Sequence, residues 1–221
     1  MPAAVFRRAS DLPQVIPVFP LDGALLLPGG DLPLQIFEPR YLNMTDDAMA
    51  GDRMIGMVQT RGPGDRTRPN LANVGCVGRI TSFSETSDGR YLITLTGVCR
   101  FVVKEELSVT TPYRQVRADF EPYADDLSVE AADIPAFDRR RFAGALKRYL
   151  NRRELDIDWD TAESAPLESL VTSLSMGLPF DPPEKQALLE APTVADRCDA
   201  LTALLEIDSL GADDDGPQSI Q

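Results

Sequence analysis

The 221-residue sequence predicts an α+β fold, with a β-rich part of ~120 residues followed by a helical part of ~75, each needing cover for an apolar face. Three observations predict it. The apolar run from Ile16 to Phe37 is broken by Pro17, Pro20, Pro28 and Pro33, and proline removes a donor and clashes with the preceding helical turn, so the run reads as short extended segments. Asp88-Gly89 separates two β-rich stretches, a strong hairpin signal. After Pro122 the apolar spacing changes to that of helices.

The elements follow in order. Residues 1–13 read as a loose, flexible leader. Pro39 opens a helix in which Tyr41, Leu42, Met44, Thr45, Ala48 and Met49 recur at helical spacing, and Gly51 ends it. Glu38 sits where a carboxylate suits the helix dipole. Met54–Val58 is a buried strand, and residues 60–71, rich in Gly, Pro and charge, are a loop. Val74–Thr86 and Tyr91–Val103 form the hairpin. Gly75, Gly78 and Gly97 interrupt it and mark bulges or close backbone approaches of the kind that curve a barrel-like sheet. In Arg114–Glu121, Val116, Ala118 and Phe120 alternate with polar residues, so one face is dry. The β-rich part thus occupies residues 14–122, with an acidic linker at 123–134.

Residues 135–210 read as a helical bundle subdomain. One stripe is Phe142, Ala145, Leu146, Tyr149 and Leu150, and a second is Leu167, Leu170, Val171, Leu174 and Leu178. Asp181 with Glu184 resembles a capping arrangement. Val194, Cys198, Leu201, Leu204 and Leu205 face inward on the last helix. The acidic tail, 211–221, reads as disordered.

Composition excludes several chemistries. The net charge is −13, which repels phosphate backbones and disfavours nucleic-acid binding. Arg139-Arg140-Arg141 and Arg152-Arg153 read as solvated helix faces. There is no histidine, so no triad or zinc site uses one. Cys76, Cys99 and Cys198 lack metal-ligand spacing and read as buried thiols, Cys76 and Cys99 lying on the two hairpin strands. No cofactor and no metal is expected. No apolar run approaches the ~20 residues of a membrane span, and the N-terminus has no signal-peptide pattern, so the expected location is cytoplasmic. Asp46-Asp47, Glu105-Glu106 and Asp125-Asp126 are adjacent in sequence, which places neither strand nor helix neighbours face to face as a shared-proton pair.

Three blocks together resemble the N-terminal, substrate-binding domain family of Lon proteases. They are Ile16-Pro17-Val18-Phe19-Pro20-Leu21 through Phe37-Glu38-Pro39-Arg40-Tyr41; Val74-Gly75-Cys76-Val77-Gly78-Arg79-Ile80 with Leu95-Thr96-Gly97-Val98-Cys99-Arg100-Phe101; and Lys185-Gln186-Ala187-Leu188-Leu189-Glu190 with Arg197-Cys198-Asp199-Ala200-Leu201. The Phe37–Tyr41 version is more similar to stand-alone bacterial members, and to the Lon-type domain of some eukaryotic RING proteins, than to full-length Lon. The resemblance implies a PUA-like β pseudo-barrel followed by helices, and a role in recognising unfolded or tagged polypeptide in protein quality control, with a protease or chaperone as a partner.

The chain lacks a GxxxxGK(S/T) stretch to cradle ATP phosphates. It has three lysines, Lys104, Lys147 and Lys185, and a Ser-Lys dyad needs one of them buried beside a serine. Lys104 precedes two glutamates that favour its charge, and Lys147 and Lys185 are expected on wet helix faces. The expected function is therefore a non-catalytic peptide-binding module working through an apolar groove or a sheet edge. Candidate contact residues are Phe37, Arg40, Tyr41, Met44, Arg79 and Arg100. For Phe37 and Met44 a place in the core is the competing expectation, for Arg40 an ion pair with Glu38, and for Tyr41 a place over the end of the barrel. A carboxylate enzyme, a small-ligand sensor and an RNA-binding module are the alternatives, and the oligomeric state is left open.

Overall fold

The computed structural model of the protein describes residues 6–62, 68–128 and 138–210. Its β-rich part contains β1 (Val15–Pro20), β2 (Asp31–Ile36), β3 (Met54–Thr60), β4 (Leu71–Glu85), β5 (Tyr91–Glu106) and β6 (Arg114–Asp119), with α1 (Pro39–Ala50) between β2 and β3. The strand order is β2-β5-β4-β3-β1-β6, and β6 also pairs with β5. Five strands therefore close into a pseudo-barrel, and β2 is attached to its outside along β5. Among the described strands only β1 and β3 run parallel, which requires the crossover that α1 supplies. Ile16, Val18, Val77, Cys99, Phe101 and Val116 fill the interior with no exposure.

The glycines do what the strand pattern predicts. Pairing is irregular between Val77 and Gly78. A Cβ at Gly97 would lie 2.0 Å from the Leu27 carbonyl oxygen, so only glycine lets that loop backbone lie against β5. Gly89 closes the hairpin at φ +77°. Val116 and Ala118 on β6, and Phe120 just beyond its end, are buried, as their alternation predicts.

The described part of the expected leader is packed rather than loose. Residues Ala9–Asp11 form a 3-10 turn, and Leu12 is buried in the barrel core. A second 3-10 segment, Glu121–Leu127, occupies the start of the expected acidic linker, and Leu127 is buried. Residues 129–137 of that linker and the tail 211–221 lie outside the described residues.

The remaining helices are α2 (Arg139–Arg152), α3 (Trp159–Ser164), α4 (Leu167–Gly177), α5 (Pro182–Glu190) and α6 (Val194–Leu210). Packing divides the chain into two compact units, and Thr172–Leu189, read from sequence as part of one helical bundle, belongs to the unit that contains the barrel. The other unit takes in α2, α3, the start of α4 and α6. Asp138 caps α2 by accepting from the Arg140 and Arg141 amides. Phe142, Ala145, Leu146, Tyr149 and Leu150 are buried as their spacing predicts, with Cys198, Leu201 and Leu205 buried on α6. The basic clusters face solvent: Arg141 pairs with Glu206, and Arg153 with Asp208.

Candidate functional site

The junction between β2 and α1 carries four of the six candidates, Phe37, Arg40, Tyr41 and Met44. Pro39 takes the first helical position, where its missing N–H costs nothing. Glu38 precedes it but does not cap the helix with its side chain. It accepts instead from Arg40, with Nε at 2.9 Å and a second nitrogen at 2.8 Å. The same guanidinium lies 4.5 Å from the centroid of the Tyr41 ring. Tyr41 is buried, its ring 4.1 Å from that of Phe19, and burial pushes its phenol pKa up. Met44 is wholly buried. Tyr41 and Met44 are therefore core residues, because α1 turns that face onto the sheet.

Phe37 is not in the core. It is 61% exposed, and the Arg90 guanidinium lies 5.8 Å from its ring centroid. The reason is strand alternation. Ile36 points inward at the end of β2, so Pro33, Gln35 and then Phe37 fall on the outer face. The register sets Pro33 opposite Thr94 and Gln35 opposite Leu92, with Ser82 and Ser84 next in line on β4. These residues line a shallow depression of about 500 Å³. Leu92 is 45% exposed there. This face thus combines two large apolar side chains with a row of hydroxyls. The run Tyr91-Leu92-Ile93 carries apolar residues in both strand phases, and that is the signal by which Leu92 could have been found.

The β2 edge itself is blunted. Among the described residues β2 pairs only with β5, which leaves one row of backbone groups open. Pro33 sits mid-strand without an N–H, so Leu32 and Leu34 form the reciprocal bonds to β5 and the outward positions are Asp31, Pro33 and Gln35. A charge and a proline at these places hinder strand addition.

Arg100 and Arg79 lie elsewhere. Arg100 is 4% exposed. It grips the Asp126 carboxylate with Nε at 2.9 Å and Nη2 at 2.8 Å, donates from Nη1 to the Leu189 carbonyl at 3.1 Å, and stacks 4.3 Å over Tyr123. Every face of that guanidinium is engaged, so it is a structural clamp. Arg79 lines a separate pocket beside Arg53.

Lys185 is a second correction. It is buried rather than on a wet face, and its Nζ donates to the carbonyls of Gly23 at 2.8 Å and Met176 at 3.2 Å. Burial lowers its pKa. Its partners among the described residues are carbonyl oxygens and not a serine hydroxyl, so the geometry is that of an anchor for α5. Gln59 and Gln186 extend the anchor: Gln59 Nε2 donates to Pro182 O at 3.1 Å, and Gln186 Nε2 to Val74 O at 3.1 Å.

The remaining chemistry is committed to structure. Asp46 accepts from the Tyr91 hydroxyl at 3.0 Å and Asp47 from that of Tyr113 at 2.6 Å, so this adjacent pair diverges. Among the described residues no group of three metal-ligating side chains assembles. Cys76 and Cys99 are buried thiols, neither of them in a disulfide. Cys76 pairs in register with Arg100 and Cys99 with Val77, so neighbouring strand positions send the two thiols to opposite faces. Burial pushes the Cys99 thiol up to about 12 and Cys198 to about 11, which suppresses the thiolate. No described helix is long and apolar enough to cross a membrane.

Comparison with known proteins places this geometry. Residues 15–206 match the model of the ATP-dependent protease La (LON) substrate-binding domain. The chain is 28% identical over 200 residues to Lon protease 2 of Myxococcus xanthus, covering 88% of this chain and 24% of that protease. It is 27% identical over 199 residues to the Lon protease of Roseiflexus castenholzii, covering 89% and 24%. The chain thus spans about a quarter of the length of these relatives, and the family match is to their non-catalytic, substrate-binding region. The crystal structure of a Lon N-terminal domain protein from Xanthomonas campestris has the same fold, with a TM-score of 0.59, 22% identity and coverage of 86% of this chain and 97% of that one. The N-terminal domain of the Mycobacterium avium complex Lon protease gives 0.57, 18%, 87% and 98%. With the family model matching most of its length and the pseudo-barrel matching in structure, the chain belongs to the Lon substrate-binding domain family.

Proposed function

We propose that this chain is a non-catalytic binding module for extended or unfolded polypeptide, acting in the cytoplasm and presenting what it holds to a protease or chaperone. The outer face of β2, β5 and β4, bounded by Phe37 and Arg40, is its contact surface. The observation that carries the reading is the 61% exposure of Phe37 in a chain whose family is a substrate-binding one. Covering a Phe side chain fully contributes about 2 kcal/mol. Leu92 adds a second anchor, and the hydroxyls of Ser82, Ser84 and Thr94 offer donors and acceptors to a peptide backbone. Aromatic and aliphatic anchors inside a polar rim suit sequence-tolerant binding.

The test is fluorescence anisotropy with a labelled, reduced and carboxymethylated polypeptide. Phe37→Ala combined with Leu92→Ala weakens binding on the order of tenfold or more, with the urea midpoint unchanged. Undiminished affinity in the folded double variant removes this face as the site.

A further inference from the structure

The helical unit has a pocket of its own, about 300 Å³, between α2, α3 and the start of α4. Phe142 and Leu146 of α2, Trp159 of α3 and Leu170 of α4 form apolar walls, and the exposed Arg139 and Glu163 stand at its rim.

The solvent side of α2, beside this pocket, is built against the interest of the helix. Arg139, Arg140 and Arg141 fill the first turn with no acid among them, and cations there oppose the helix dipole. The whole helix carries six cations and no acid, in a chain of net charge −13. Gly144 interrupts it, at a cost to helix stability. A Cβ at that position would meet just Arg148 Nη1, at 3.5 Å, so packing does not call for glycine.

The neighbouring acids answer one flank of α2. Glu206 holds Arg141, and Asp208 holds Arg152 and Arg153. Asp138 is spent on the Arg140 and Arg141 amides, and Asp158 on the Thr161 amide and hydroxyl. Within the pocket Glu163 matches Arg139 in number. The excess lies along the exposed side of α2, where Arg140, Lys147 and Arg148 make no ion pair among the described residues. Lys147 lies 5.0 Å from the Trp159 ring centroid, so this positive strip runs up to the aromatic wall of the pocket.

We infer that α2 and this pocket form a docking site for an acidic polypeptide segment that carries one large apolar side chain. The apolar side chain enters between Phe142, Leu146 and Trp159. The flanking carboxylates meet Arg140, Lys147 and Arg148, and Ala143 and Gly144 keep the strip low enough for a backbone to lie along it. Glu163 accepts a peptide N–H but repels a phosphate chain, which separates this partner from a nucleic acid. Salt screens the negative charge of the whole chain beyond about 8 Å, so the segment responds to the cations beside it. The site is distinct from the Phe37 face and does not need that reading to hold.

Trp159 is the single tryptophan of the chain, so its emission reports this pocket. Titration of the full chain with acetyl-Glu-Asp-Leu-Asp-Glu-amide tests the site. The expected result is a saturable Trp159 shift, with affinity that falls as salt is raised. The analogues Gln-Asn-Leu-Asn-Gln and Glu-Asp-Ser-Asp-Glu, with the same end groups, bind on the order of tenfold more weakly or not at all. Arg139→Gln combined with Arg140→Gln lowers affinity by about tenfold without lowering the melting temperature, because it relieves the first turn of α2. Ala143→Leu, a change that a helix accepts readily, fills the pocket and has the same effect. No response to the acidic leucine peptide, equal binding of either analogue, or retained affinity in both folded variants overturns the site. A Trp159 response to phosphatidylglycerol vesicles with none to the peptide overturns the polypeptide assignment.

Discussion

Arg100 and Arg40 are the same residue type paired with the same kind of group, and they do different work. Arg100 and Asp126 have side chains 5% and 10% exposed, and the remaining donor is used by a main-chain carbonyl. Arg40 and Glu38 are 48% and 42% exposed, and beside them Phe37 stands in water. A buried, fully bonded cation cannot leave its partners, because the desolvated carboxylate left behind is costly. An exposed pair is worth little and exchanges freely with other groups. Burial, not residue type, separates the clamp from the contact surface.

The largest test of that contrast is Arg100→Met. It strands Asp126 in the interior, and the expected loss is about 4 kcal/mol in urea denaturation. A loss below about 1 kcal/mol would place Arg100 with the exposed arginines instead. Next is Tyr41→Ala, where the two regions meet. Tyr41 lies beneath Arg40 but packs on Phe19, so its removal costs about 3 kcal/mol and lowers peptide binding only through the fold.

A smaller effect comes from Glu106, whose exposure falls between those of the two ion pairs. Hydrogen bonds from Arg114 and then Arg68, opposed by burial, hold its carboxyl below the usual carboxylate range. A carboxylate depressed in the folded state stabilises above its unfolded pKa, and that contribution is lost as pH falls through the folded value. Glu106→Gln therefore removes on the order of 1 kcal/mol near neutrality and flattens the acid limb of a stability–pH profile. The smallest effect is Phe37→Ala, which changes stability by less than about 0.5 kcal/mol. A thermal melt that drops by several degrees would show Phe37 to be structural.

Much of the barrel is legible in the sequence, because its signals are local. The Asp88-Gly89 turn, the alternation of Val116, Ala118 and Phe120, and the Pro39 helix start each act within a few residues. The Arg40–Glu38 pair was also within reach for that reason. For Phe37 the sequence leaves core and surface as competing places, although the period of two through Pro33 and Gln35 points it outward. Lys185 shares a helical face with Leu188 and Leu189, a pattern that marks it as buried once the lysine is read with its neighbours. The Arg100 clamp had no local signal, since its partners are 26 and 89 residues away in the chain.

The sequence by itself determined the strands, the turns, the helix stripes and the lack of a phosphate-binding loop, since each depends on the chemistry of a short stretch. Only the tertiary structure decided which charges are clamped and which are free, and that α5 belongs with the barrel. Desolvation depends on what the rest of the chain brings alongside a group, and no stretch of residues carries that information alone.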